Sequence, residues 1–223
     1  MVSTGRTGRM GGTSRTSRRR TVDRFHGRIL GAGTSSGLRF VVGDWATSPL
    51  GSFTSVMVAT AEHRRLLLAP SDPVAEYVTA TYTFDDVVRC DVALTETGPQ
   101  DARRWHLDAG PLVADLALGP RTATGWLLAA LPGPLARSRV FAILADPVAR
   151  LVHPGVRTRG TAGNDRWEYY GARDQHAVTH LTGTWQGRDL GHLAGVTPNP
   201  RFGFSSTPAR PCLTRVTTTV VRD

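Results

Sequence analysis

The sequence predicts an α+β, strand-dominated fold: a curved antiparallel sheet or closed β-barrel, with a short helix near 73–82 and a helical insertion at 121–152. Three observations predict it. After Asp23, apolar and polar residues alternate through most of the chain, which is the period of a half-buried strand. Turn-forming residues separate these runs at short intervals, so neighbouring strands join directly rather than through crossover helices. Helical periodicity is confined to the two middle segments just named.

Residues 1–22 are Gly, Ser, Thr and Arg with almost no apolar side chains. Such a stretch cannot repay its ordering entropy, so a disordered basic tail is expected, followed by one globular β-rich domain over 23–223. Strands are expected over 24–31 and along Leu38, Phe40 and Val42, which alternate with Arg39, Val41 and Gly43. Further strands follow at 52–60 and 64–69. Ser71-Asp72-Pro73 reads as an N-cap with proline in the first turn, and Val74, Tyr77, Val78 and Thr81 then share a helical face.

Val88, Cys90, Val92 and Leu94 oppose Arg89 and Asp91 as a single strand. Trp105, Leu107 and Ala109 form another, and Leu112, Ala114, Leu116 and Leu118 continue the pattern. Residues 121–131 read as a second helix, ended by Pro132-Gly133-Pro134; Val140, Ile143, Leu144, Val148 and Leu151 share one more helical face, split by Pro147. The remaining strands are 155–160, 167–172, 176–185 and 213–222. Between the last two, residues 196–212 hold four prolines and two phenylalanines, expected as an ordered coil packed on the surface. The strands are expected to wrap around a shared apolar interior, with any ligand held in its leftover space.

All 27 basic residues are arginine. This excludes a lysine Schiff base, a phosphate-loop lysine and a Tyr/Lys catalytic pair. Residues 1–28 hold eight arginines and one acid, 8 − 1 = +7, which leaves 9 − 7 = +2 for the rest of the chain. The basic character belongs to the leader, whereas a domain that grips nucleic acid keeps its charge in the fold. Cys90 and Cys212 stand apart without metal-ligand spacing and read as free thiols. No apolar run is long enough for a membrane span, and a cytoplasmic location is expected.

Gly31-Ala32-Gly33-Thr34-Ser35-Ser36-Gly37 has the look of a dinucleotide-binding turn. That chemistry needs a helix directly after the glycines, and Leu38-Arg39-Phe40-Val41-Val42 is a strand, so the stretch reads as a loop between strands. His176 and His180 share a face in either a strand or a helix, with Asp174, Glu168 or His192 as conceivable third ligands; surface or pocket histidines are the reading adopted, with no metal. Trp167–Asp174 packs aromatics, an acid and an arginine together. There Glu168 and Tyr170 share a strand face, as a hydrogen-bonded pair or an acid/base pair. Arg157 and Arg159 project to one face and, if inward, need Glu168 or a ligand anion as partner. GxSxG, HExxH, DxDxDG and CxxC motifs are absent, and no cofactor is expected.

Ser48-Pro49-Leu50-Gly51-Ser52-Phe53, followed by the strand Ser55–Ala59, resembles the Gly-Pro-Tyr stretch of acetoacetate-decarboxylase-like proteins. That resemblance implies a cone-shaped β-barrel with a pocket. Enzymes of that family use a lysine Schiff base, so a lysine-free chain inherits the pocket and not the reaction. The stretches Thr34–Asp44, Ala80–Asp86, Pro154–Gly160, Trp167–Ala172 and Arg201–Pro208 are also similar to a conserved-hypothetical family of GC-rich Gram-positive bacteria, a resemblance that brings no activity with it.

The functional expectation is a β-barrel that binds a small apolar ligand, neutral or anionic, through Arg157, Arg159, Glu168, Tyr170, His176 and His180. The alternatives are a lyase or hydrolase with Glu168 or His176 as proton carrier, and a domain tethered to nucleic acid by its arginine-rich leader. On the tether alternative, deleting residues 1–22 abolishes salt-sensitive binding to duplex DNA, measured by a salt titration of affinity. Binding that survives the deletion unchanged overturns it.

Overall fold

The computed structural model describes residues 21–99, 102–132, 156–162, 166–203, 205 and 207–222. The expected disordered leader lies almost wholly outside these residues, as does the later part of the expected helical insertion, 133–155.

Alternation along the chain produces the strands. β1 (Thr21–Thr34), β2 (Arg39–Thr47), β3 (Phe53–Ala59) and β4 (Arg65–Ala69) form an antiparallel meander. The Gly31–Gly37 stretch ends β1 and turns into β2, with Gly37 at φ +86° where a side chain is strained. α1 (Asp72–Thr79) has proline in its first turn and buries Val74 and Ala75. It carries the chain across to β5 (Asp86–Arg89), which runs parallel to β4. This βαβ unit departs from the antiparallel expectation because a helical crossover returns the chain to the same end of the sheet.

A second antiparallel meander follows: β6 (Ala93–Thr97), β7 (Arg104–Ala109) and β8 (Leu112–Arg121). α2 (Ala123–Ala129) begins at Thr122, whose hydroxyl oxygen accepts a 3.0 Å hydrogen bond from the Gly125 amide. β9 (Arg159–Ala162) pairs with the 20-residue β10 (Arg166–Trp185). The short β11 (Arg188–Asp189) and β12 (Leu193–Ala194) precede β13 (Cys212–Arg222), which lies between β1 and β10. The expected strands 167–172 and 176–185 are thus one strand, interrupted by a bulge at Arg173.

Among the described residues the main path of the sheet is β5-β4-β3-β2-β1-β13-β10-β8-β7-β6. Its two edges, β5 and β6, are consecutive in sequence, with only Cys90, Asp91 and Val92 between them. That link spans no more than about 14 Å fully extended, so the sheet must curl until its edges approach. No ladder joins β5 to β6 among the described residues, so the structure is a curled, open half-barrel rather than a closed one. The single strand expected over 88–94 is therefore two strands and a corner. Its alternation persists through the corner, because Val88, Cys90, Val92 and Leu94 all pack on the same core.

That core fills the curl. Leu30, Phe40, Val42, Val56, Leu107, Leu112 and Trp105 are all fully buried within it. Across its mouth Arg28 of β1 forms an ion pair with Glu96 of β6, strands that lie far apart along the sheet. The Arg28 guanidinium stacks 4.7 Å from the Trp105 ring centroid, and Trp105 Nε1 donates to Glu96 at 2.9 Å. Trp105→Ala is expected to destabilise the protein by about 3–5 kcal/mol in urea unfolding, with Trp105→Phe losing less.

Candidate functional site

The other face of the same strands bounds a cavity. Cross-strand register places Met57, Val41, Gly31 and Cys212 in one row, while Val56, Val42, Leu30 and Leu213 form the adjacent row. The second row belongs to the filled core. The first row turns the opposite way, and Met57, Val41 and Cys212, with Ile29, Trp45 and Val216 nearby, line a cavity of about 560 Å³. Leu127, Leu128 and Leu131 of the α2 region, residues 156–158, and Asn199, Pro200, Phe202, Ser205, Thr207 and Pro208 supply much of its remaining lining. The expectation that ligand space is left over inside the barrel is thus corrected. Close packing consumes the interior, and the space lies between the outer face and its covering segments.

Gly31 and Gly33 allow part of that cover to approach. A Cβ on Gly31 would sit 2.4 Å from Thr207 Oγ1, and one on Gly33 would sit 2.1 Å from the Gly195 carbonyl oxygen. The described residues of the coil expected over 196–212 serve as this cover, held by the Val196 amide donating to the Ala209 carbonyl and the Thr83 amide donating to the Phe202 carbonyl.

One polar cluster adjoins the apolar wall. Tyr82, just beyond α1, and Tyr170 of β10 both line the cavity. Tyr82 Oη lies 2.9 and 3.0 Å from the two Glu168 carboxylate oxygens, Tyr170 Oη lies 3.1 Å from Oε2, and the two phenol oxygens are 2.7 Å apart. Glu168 is only 3% exposed. Burial drives its carboxyl up to about 7, against the opposing pull of the phenol hydrogen bonds and of Arg166. Arg166 does not neutralise it directly, because Nη1 donates to the Tyr77 carbonyl and Thr81 Oγ1 at 3.2 and 2.9 Å. Burial, followed by the nearby Glu168 charge, holds both phenols well above the ordinary tyrosine range. Cys212, also on the wall, is pushed up to about 11 by burial and stays a neutral thiol.

The remaining expected residues lie elsewhere. Arg157 is exposed at the cavity wall, where its amide donates to Ser205 Oγ at 2.9 Å. Arg159 is exposed on β9 and is not on that wall. Neither forms an ion pair with Glu168 among the described residues.

His176 lies on the opposite face from Tyr170. The bulge at Arg173 inserts one residue, so Tyr170 pairs with Thr218 whereas His176 pairs with Leu213 of the core row. There His176 Nε2 lies 3.4 Å from Asp174 Oδ2 and Nδ1 lies 3.2 Å from the Gly119 carbonyl. Asp174 also accepts from Arg121 at 2.8 and 3.0 Å. Burial opposes the Asp174 charge, and Arg121, the Gln175 amide and His176 together hold its carboxyl below the usual range.

A second bulge near Thr179 turns His180 away from His176: Val178 and Leu181, three positions apart, both face the core, and His180 is exposed. The expected shared face of the two histidines is lost to that extra residue. Among the described residues no group of three or more His, Cys, Asp or Glu side chains could hold a metal ion, and no helix is long and apolar enough to cross a membrane.

Tyr82 is the site residue that sequence reasoning missed. It lies 86 positions from Glu168, and no local pattern marks so distant a pairing.

No family model and no curated protein matches the chain. A solved structure described as "Structural Studies of Acetoacetate Decarboxylase" is similar over 90% of this chain and 87% of its own, at 11% identity and a TM-score of 0.39.

In the fold Glu168 keeps its proton to higher pH than in the unfolded chain, where a glutamate titrates near 4.5. The stability held by the neutral acid is therefore fully present below about 4.5 and is lost as pH rises through about 7, a change on the order of 3 kcal/mol. Glu168→Gln, which keeps the neutral shape, is expected to match the parent at pH near 4 and exceed it at pH near 8 by that order in urea unfolding. Equal pH dependence of the two proteins contradicts the assignment.

Proposed function

We propose that this protein binds a small apolar molecule, neutral or anionic, in the cavity between the outer face of the sheet and its covering segments. The observation that carries the reading is the cavity itself: about 560 Å³, a size suited to a small ligand, with a wall of aliphatic and aromatic side chains and one buried polar cluster. Water gains little from such a wall, whereas an apolar ligand removes surface from solvent on both sides.

Charge on the covering segments supports the same reading. Residues 156–162 and 190–211 include Arg157, Arg159, Arg201 and Arg210 and contain no acid, and all four arginines are exposed. An anionic group on the ligand would meet favourable potential there. Of the six residues expected to bind ligand, Arg157 and Tyr170 stand on the wall, and Glu168 acts through Tyr82 and Tyr170. Arg159 contributes to the charge, while His176 and His180 have no part in the reading.

The test is saturable binding of anilinonaphthalene sulfonate, an anionic apolar dye, followed by fluorescence. Met57 is partly exposed on the cavity wall, so Met57→Trp fills ligand space. The variant is expected to weaken dye binding at least about tenfold, or 1.4 kcal/mol, with an unchanged Tm. Absence of binding to the parent, or equal affinity in the variant, overturns the reading.

A further inference from the structure

The cluster of Tyr82, Tyr170 and Glu168 has a property that the apolar wall does not require. If Glu168 is ionised, a buried carboxylate accepts from both phenols, with Tyr82 Oη within 3.0 Å of both its oxygens. A ligand carbonyl can then take the Tyr82 hydrogen only by leaving the carboxylate short of a donor, which costs more than an ordinary hydrogen bond returns. If Glu168 is neutral, the cluster gains one hydrogen. The carboxyl can donate to a phenol oxygen, and the Tyr82 O–H becomes available to an acceptor.

We infer that this cluster is the subsite for a hydrogen-bond-accepting oxygen, a ketone or aldehyde carbonyl on an otherwise apolar ligand. The carbonyl takes its hydrogen bond from Tyr82 as Glu168 takes up one proton from solvent. The inference rests on the cavity reading above and adds the chemical class of ligand and the residue that recognises it.

The surroundings are consistent with that role. Burial raises the Glu168 carboxyl to about 7, so the proton costs little near neutral pH. The charged and titratable groups bearing on it are the two phenols and Arg166. On the packed strands nearby, Arg222 is paired with Asp23 at 2.7 Å, and Tyr77 Oη donates to Asp23 at 2.9 Å. Thr218, the cross-strand neighbour of Tyr170, is 3% exposed, and its Oγ1 has no hydrogen-bond partner among the described residues.

The experiment is isothermal titration of the full chain with methyl nonyl ketone and, separately, with the corresponding secondary alcohol, which can donate to the cluster as well as accept. Each is run from pH 6 to 9 in buffers of different ionisation enthalpy. The ketone is expected to bind with uptake of close to one proton at pH 8 and to weaken toward tenfold per unit above pH 7, while the alcohol shows neither effect. Glu168→Gln should flatten the ketone profile. Tyr82→Phe should weaken the ketone at pH 6 about tenfold, with an unchanged far-ultraviolet circular dichroism spectrum showing that the variant is folded.

A ketone that binds with no proton uptake and a flat profile overturns the subsite and leaves the cavity reading intact. Failure of ketone, alcohol and dye alike overturns both.

Discussion

The rest of the structure depends on a short tether. Cys90, Asp91 and Val92 join the two ends of the sheet's main path, ten strands among the described residues, and so short a link forbids a flat sheet. The curl gathers alternate residues from distant strands into one core around Trp105, and it brings Arg28 of β1 to Glu96 of β6 across the mouth. Arg28 reaches Asp44 as well, through Nη2 at 2.7 Å. Since these side chains are partly exposed, the ion pairs add modestly, and the buried apolar surface does most to hold the curl.

A sheet with one face committed to a core has only its other face for binding. On β3, β2, β1, β13 and β10 that face carries small and apolar residues, among them Gly31, Val41, Gly43 and Ala172. These let the covering segments approach without filling every gap. The two bulges in β10 then decide which side chains reach which side. One extra residue at Arg173 separates Tyr170, on the cavity wall, from His176, which is held between Asp174 and Gly119 on the core side.

The placement of Glu168 follows from the same geometry. Before the bulge it shares a face with Tyr170, and the chain after α1 lays Tyr82 against both. Two phenols supply hydrogen bonds without supplying charge. Arg166, a cation that bears on it, spends a guanidinium nitrogen on Tyr77 and Thr81 and its face on the Tyr77 ring at 4.8 Å. A carboxyl so placed is satisfied yet not neutralised, which is why burial dominates its titration.

From the sequence alone came the strand-dominated class, most strands, both described helices and the pairing of Glu168 with Tyr170, because period-two alternation and helix caps are local properties. The absence of lysine likewise settled which covalent chemistries this chain lacks. Tertiary structure decided the rest. Nothing near residue 90 announces that a seemingly continuous strand turns a corner between two sheet edges, since its alternation is unbroken. A bulge leaves little trace in the pattern, yet it moves the side chains that follow it to the other face, His176 among them. Tyr82 meets Glu168 only because the β4–α1–β5 crossover lies over β10, a contact set by packing across the whole domain. Local periodicity says which residues avoid water; the side of the sheet on which space remains depends on how distant segments pack.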